Sequence, residues 1–119
     1  MEQVIFPKRG EVYLANFDPT IGSKIKETRP AVILQNNIYN QYNTTTIVAP
    51  ISSKSTKLRT SQALIKPPDG GLDRESVILL NQIRTIDKQR PGKRLGKIKL
   101  ETMRKVETAL KISIGLTKL

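Results

Sequence analysis

The chain contains no cysteine, no histidine and no tryptophan. Without cysteine there is no disulfide framework, no thiolate zinc site and no thiol nucleophile. Without histidine, any chemistry proceeds without the side chain that usually moves protons near neutral pH. Aromatic residues are scarce: Phe6, Tyr13, Phe17, Tyr39 and Tyr42 all fall in the first 42 of 119 residues. The core further along must therefore be aliphatic. Acidic residues are few as well, 10 against 21 Lys and Arg, which leaves a formal net charge of +11. Such a balance suits a polyanionic partner, most often nucleic acid. The carboxylates stand singly along the chain, so neither a metal cage nor a cofactor site is expected. No apolar run approaches the roughly 20 residues that span a bilayer. The start, MEQVIFPKRG, lacks the charged and apolar regions of a signal peptide. The expectation is a basic cytoplasmic protein without membrane contact. Its length suits one domain over residues 1–119, with 1–8 as a loose lead-in and a core that needs no staples.

Glu11–Phe17 (EVYLANF) is rich in β-formers and reads as a strand. Asp18 to Ser23 (DPTIGS) is turn chemistry, and the polar loop runs on through Lys24, Lys26 and Glu27. Pro30 then opens Ala31–Gln35 (AVILQ), a nearly continuous apolar run of the kind found in strands buried on both faces. The proline ring pushes Arg29 into extended geometry at the strand's beginning. Asn36–Asn43 reads as a short helix or turn, and Thr44–Ile51 as a strand with Pro50 at a bulge or an edge. Ser52–Thr60 is a second basic loop. Ser61–Lys66 is a short strand, stopped by Pro67-Pro68-Asp69-Gly70-Gly71. One helical turn is expected over Leu72–Ser76, then a core strand Val77–Leu80 that continues through Asn81–Ile86.

The last third changes character. Residues 84–111 hold ten Lys/Arg against three Asp/Glu, and Lys88–Lys99 reads as a solvated, charged face. Leu100, Met103, Val106, Glu107, Leu110 and Ile114 recur at three-to-four spacing, which predicts an amphipathic helix over 100–114. Short strands followed by one helix point to a mainly β fold, a small barrel with short helices and a C-terminal helix packed on it.

Two loops, Asp18–Arg29 and Ser52–Thr60, combine hydroxyls, ammonium groups and an Arg, the groups that bind phosphate oxygens. Loops of any basic protein share this composition. The residues alone leave a phosphate site and an ordinary solvated surface equally open.

The order of motifs is more specific. RGEVYLANFDPTIGSKIKETRPAVILQNN resembles the N-terminal half of the MazF/PemK family of bacterial toxin endoribonucleases. IVAPIS (Ile47–Ser52), DRESVILL (Asp73–Leu80) and NQIRTIDK (Asn81–Lys88) are similar to later segments of that family. The resemblance covers about Lys8 to Leu116. It implies a homodimer of SH3-like barrels of the MazF/PemK/CcdB type. It also implies metal-free, sequence-specific cleavage of single-stranded RNA by the ribose 2′-OH, and hence arrest of translation and growth. The implied partner is an acidic, MazE-like antitoxin whose disordered segment lies along the RNA groove, with DNA contacted only through that complex.

Carried over by position, the family's invariant Arg falls on Arg29 and its active-site Thr or Ser on Ser52. Gln82 stands where the family has a groove-lining Gln. Thr20, Ser23, Lys24, Ser53, Lys54 and Lys57, on the two loops, complete the expected RNA contacts. A guanidinium fork and a hydroxyl suit the charge that builds on a phosphorane. One departure stands out: many relatives carry Glu after the Gly-Ser pair, where this chain has Lys24. Either that group is lost or Glu27 replaces it. Two rival readings keep a similar barrel: a non-catalytic toxin that targets a topoisomerase, and an SH3-like nucleic-acid-binding module driven by charge. The first would not keep the Arg29/Ser52 pair.

Overall fold

The Ala31–Leu34 run is buried on both sides, and alternation along it divides the interior in two. Ala31 and Ile33 join Ala15, Phe17, Val48 and Ile86 in one cluster. Val32 and Leu34 join Val12, Ala49, Ile51, Ile65 and Ile78 in a larger one. A computed structural model describes residues 5–17, 28–53 and 57–118. Its strands are β1 (Glu11–Asn16), β2 (Thr28–Ile33), β3 (Thr45–Ser53), β4 (Gln62–Ile65), β5 (Ser76–Leu79), β6 (Arg84–Asp87) and β7 (Pro91–Lys97). They form an antiparallel sheet in the order β4-β5-β3-β2-β1-β7, with β6 also paired to β3. Helix α1 (Asn37–Tyr42) links β2 to β3, and α2 (Leu100–Ser113) closes the described chain. Met103, Val106 and Ala109 of α2 complete the larger cluster. This is the mainly β fold with a C-terminal helix that the sequence predicts.

Several elements differ from expectation. Ser52 and Ser53 are not loop: β3 runs on through Ser53 because Ser52 pairs with Val77 and Ser53 with Ser76 of β5. Pro50 lies on no edge, but in the middle of the sheet opposite Ala31. The helical turn expected at Leu72–Ser76 forms earlier, as a 3-10 turn over Asp69–Gly71. Asn81–Ile86 does not simply continue β5. Four residues of β3 (Ile51 to Val48) are opposed by seven of the β5–β6 segment (Ile78 to Arg84), so three extra residues are turned out between them. The Gln82 N–H donates to the Leu79 carbonyl and closes that turn. The Lys88–Lys99 charge run holds β7, which among the described residues pairs only with β1 and so can afford a charged outer face. In α2 the apolar stripe is shorter than its spacing suggests: Leu100 is 67% and Ile114 52% exposed.

Two polar devices hold the periphery. Asn40 of α1 is fully buried; its amide donates to the Gln35 carbonyl (2.8 Å), and its oxygen accepts from the Thr46 hydroxyl (2.7 Å) and the Gln35 amide (3.1 Å). The Lys88 ammonium donates to the Asn40 and Gln41 carbonyls at the end of the same helix, the end that favours positive charge. Helix α2 starts at Lys99, whose side chain makes no cap. Asp69 supplies one from thirty residues away: its Oδ1 accepts the Lys99 N–H (2.8 Å) and its Oδ2 the Thr102 hydroxyl. The turn carrying Asp69 lies directly on β7. Gly71 has φ +75°, and a Cβ there would sit 1.9 Å from the Leu95 carbonyl oxygen.

Asp69→Ala is expected to cost about 2 kcal/mol in denaturant unfolding, since it strips a buried carboxylate with two partners from a helix start. Asp69→Asn, which keeps an acceptor for the Lys99 N–H, should cost less. A second expectation concerns pH. Burial raises the pKa of Glu11, but bonds from Arg94 (2.7 Å), the Lys8 amide (2.7 Å) and the Tyr13 hydroxyl (2.9 Å) more than offset it, leaving the carboxyl below its ordinary value. Stability from Glu11 is then present above its unfolded-state pKa near 4.5 and lost as pH falls through the lower folded value. Burial and the neighbouring Glu11 push Tyr13 up to about 12, so its contribution fades only in strong alkali, above the unfolded value of 10.0. Thermal melts should show Glu11→Gln less stable than the parent at pH 7, with the gap closing below pH 4.5.

Candidate nucleic-acid interface

Alternation decides which side chains meet. Arg29 stands two residues before Ala31 and therefore shares its face of the sheet. Arg84 pairs with Val48, and Ala31 with Pro50, which puts all of them on that same side. Gln82 is turned out just before Arg84 by the three extra residues between β5 and β6. The result is an open cleft of about 100 Å³ lined by Phe17, Arg29, Pro50, Gln82 and Arg84. Two guanidinium groups and one amide face it, and no carboxylate is among the described residues that line it.

Ser52 enters through register. The β2–β3 pairing runs Ile33↔Val48, Val32↔Ala49, Ala31↔Pro50. The ladder ends at Ala31 and Pro50, so Arg29 stands two residues beyond it on β2 and Ser52 two residues beyond it on β3. Ser52 is half-buried and also borders a second depression of about 250 Å³, with Pro30, Ser53, Asp73, Arg74 and Ser76. Arg29 thus lines the cleft with Gln82, while Ser52 borders the second depression together with Pro30, the residue next to Arg29. A planar fork, an amide and a hydroxyl together can hold a phosphodiester and stabilise charge that grows on its oxygens.

The other expected contacts divide. Ser53 lies with Ser52 beside the second depression. Lys57 lines a separate, broad concavity of about 710 Å³ with Leu58, Arg59, Thr60 and Ser61. Thr20, Ser23, Lys24 and Lys54, and Glu27 with them, lie outside the described residues. Arg84 was not among the expected contacts. Its guanidinium carbon lies over the Phe17 ring, 5.3 Å from the centroid, and Nη1 reaches the Phe17 carbonyl at 3.5 Å. The signal for it is Gln82 and Arg84 at i, i+2 where a strand resumes, which would set both on one face.

The family model for PemK-like, MazF-like toxins of type II toxin-antitoxin systems matches residues 8–114. The chain is 43% identical over 110 residues to the endoribonuclease EndoA of Bacillus subtilis (strain 168), spanning 92% of this chain and 95% of that one. Among solved structures it is similar to a mycobacterial endoribonuclease in complex with its cognate antitoxin, with a TM-score of 0.77 and 26% identity over 95% of this chain and 99% of the other. A MazE–MazF structure from Deinococcus radiodurans shares the fold, with a TM-score of 0.78 at 23% identity over 96% of this chain and 100% of that one. A basic, mainly β chain matched by this family model over nearly all its length belongs to the PemK-like, MazF-like toxins of type II toxin-antitoxin systems.

Proposed function

We propose that this toxin is an endoribonuclease that cuts single-stranded RNA by attack of a ribose 2′-OH on the adjacent phosphate, so stopping translation. The observation that carries the reading is the meeting of Arg29, Gln82 and Arg84 in one cleft, with Ser52 on β3 two residues beyond Pro50 of that cleft. The relative from Bacillus subtilis named an endoribonuclease supports the activity. Neither the topoisomerase-directed toxin nor the charge-driven binding module finds support in the comparisons.

In the proposed reaction the 2′-OH gives up its proton to water, the O2′–P bond forms, the P–O5′ bond breaks, and O5′ takes a proton from water. The products are a cyclic phosphate and a 5′-OH end. Arginine side chains in general make poor bases, and Arg29 is given a different part. Its part is to present a planar fork to the phosphorane oxygens and a hydrogen bond to the departing O5′. Ser52 donates a second hydrogen bond to the same charge. Gln82, Ser53, Lys57 and the loop residues Thr20, Ser23, Lys24 and Lys54 bind the flanking RNA. Among the described residues no three Asp or Glu gather into a metal-binding group, and the proposed chemistry uses none.

An acidic antitoxin is the second partner in this reading. Its carboxylates would take the place of RNA phosphates along a cleft lined by Arg29 and Arg84, and DNA would be met only through that complex. Antitoxin-bound relatives of the same fold support it. A symmetric homodimer is the assembly the reading expects. No helix among the described residues is long and apolar enough to cross a membrane, and the cytoplasm, where mRNA lies, is the proposed compartment.

The test separates chemistry from binding. Arg29→Ala should lower the cleavage rate on bound RNA at least about a hundredfold, the usual value of one oriented donor. Ser52→Ala should also slow the bound step more than it weakens binding, and Arg29→Lys should rescue poorly. Lys57→Ala should weaken binding several-fold and slow the bound step far less than Arg29→Ala does. A substrate with 2′-deoxy at the cleaved position should not be cut at all. Parent-rate cleavage by Arg29→Ala, or cutting of the deoxy substrate, would sink the mechanism. Cleavage should persist in EDTA; loss in EDTA with rescue by magnesium would show that a metal takes part.

A further inference from the structure

We propose that the outward side of the Arg84 guanidinium is a stacking platform for one nucleobase of the bound RNA, beside the phosphate held at Arg29, with Phe17 as its fixed backing. The inference rests on the RNA-cleaving reading above and adds a determinant of base preference to it.

The backing is rigid. Phe17 is 5% exposed and packs among Ala15, Ala31, Ile33, Val48 and Ile86. Arg84 lies over that ring and reaches the carbonyl of the same residue. The contact fixes the group from one side while the side chain stays exposed and lines the cleft. Two other arginines are used differently. Arg94 is bound to Glu11 at 2.7 Å and Arg9 to Glu107 at 2.8 Å. Among the described residues no carboxylate pairs with Arg84.

RNA-binding sites commonly stack unpaired bases on aromatic rings or on guanidinium planes. Here the one aromatic ring lining the cleft is buried beneath Arg84, and the exposed Tyr39 and Tyr42 stand on α1, outside the lining of the cleft. A ring-backed guanidinium therefore offers the flat cationic surface in this cleft, and a base laid on it would complete a ring–cation–ring stack. Gln82 lines the same wall, where its amide can reach the edge of that base while Arg29 takes the phosphate.

The experiment measures affinity for an oligoribonucleotide made uncleavable by 2′-deoxy at the cut position, with each base flanking the cut removed in turn as an abasic site. In the parent protein one flanking position should lose about tenfold in affinity when its base is removed. That penalty should vanish in both Arg84→Gln and Arg84→Lys, because the ammonium keeps the charge and loses the plane. Phe17→Leu should give an intermediate penalty where it folds, and the two exposed-site variants decide the matter where it does not. On cleavable RNA the Arg84 variants should lose more in KM than in kcat. If the abasic penalty persists in Arg84→Gln, or if Arg84→Lys behaves as the parent, Arg84 is a point charge on a phosphate and the platform is wrong. A parent protein that neither binds nor cuts RNA overturns the RNA reading itself, and the platform with it.

Discussion

Everything at the candidate site depends on how β3 is held. One edge carries β2 and the other carries β5 and β6 in succession, with the change of partner between Val48 and Ile51. The Ile47 carbonyl accepts from Leu34 on the β2 side. Alternation then turns the backbone of Pro50 toward the other edge, into the gap between its two partners. A residue with no N–H is tolerated there because nothing opposite needs one. Pro50 thus marks the place where the sheet changes partner, and the cleft opens above it.

Charge is sorted as well as abundant. Glu11 and Glu107 are spent on Arg94 and Arg9, and the Lys88 ammonium on helix carbonyls. These cations fasten the framework. Arg29, Gln82 and Arg84 share a cleft whose described lining holds no carboxylate, and each offers hydrogen-bond donors to a phosphodiester. The net charge of +11 draws a polyanion in from a distance. The donors gathered in the cleft give that attraction a place to end.

Much of the fold was legible because its signals are local. The AVIL run, the turn at Pro67–Gly71 and the three-to-four spacing from Met103 to Leu110 each declare their element. What was missed was decided by pairing. Lys88–Lys99 reads as solvated surface because a strand at the edge of the described sheet can show charge at several positions, as Lys93, Arg94 and Lys97 do. Ser52 and Ser53 read as loop because two serines and a basic tail carry no strand signal, until β5 is found beside them. The turn at Leu80–Gln82 contains neither Gly nor Pro. The site followed the same division. Arg29 and Gln82 were expected from the motif, whereas the placement of Arg84 needed Phe17, which lies 67 residues earlier in the chain.

The segment joining β5 to β6 has a property that belongs to its length rather than its letters. Side chains alternate between faces with period two, and β6 must follow the β3 edge whatever precedes it. Removing one residue from the turn, or adding one, would therefore invert the parity of all that follows. Arg84 would swing to the opposite face, Thr85 would take its place in the cleft, and Ile86 would leave the cluster around Phe17. A change of two residues would restore the pattern. Length variants of this turn should thus fall into two populations, even changes that preserve the cleft and odd changes that dismantle it, with composition a lesser influence.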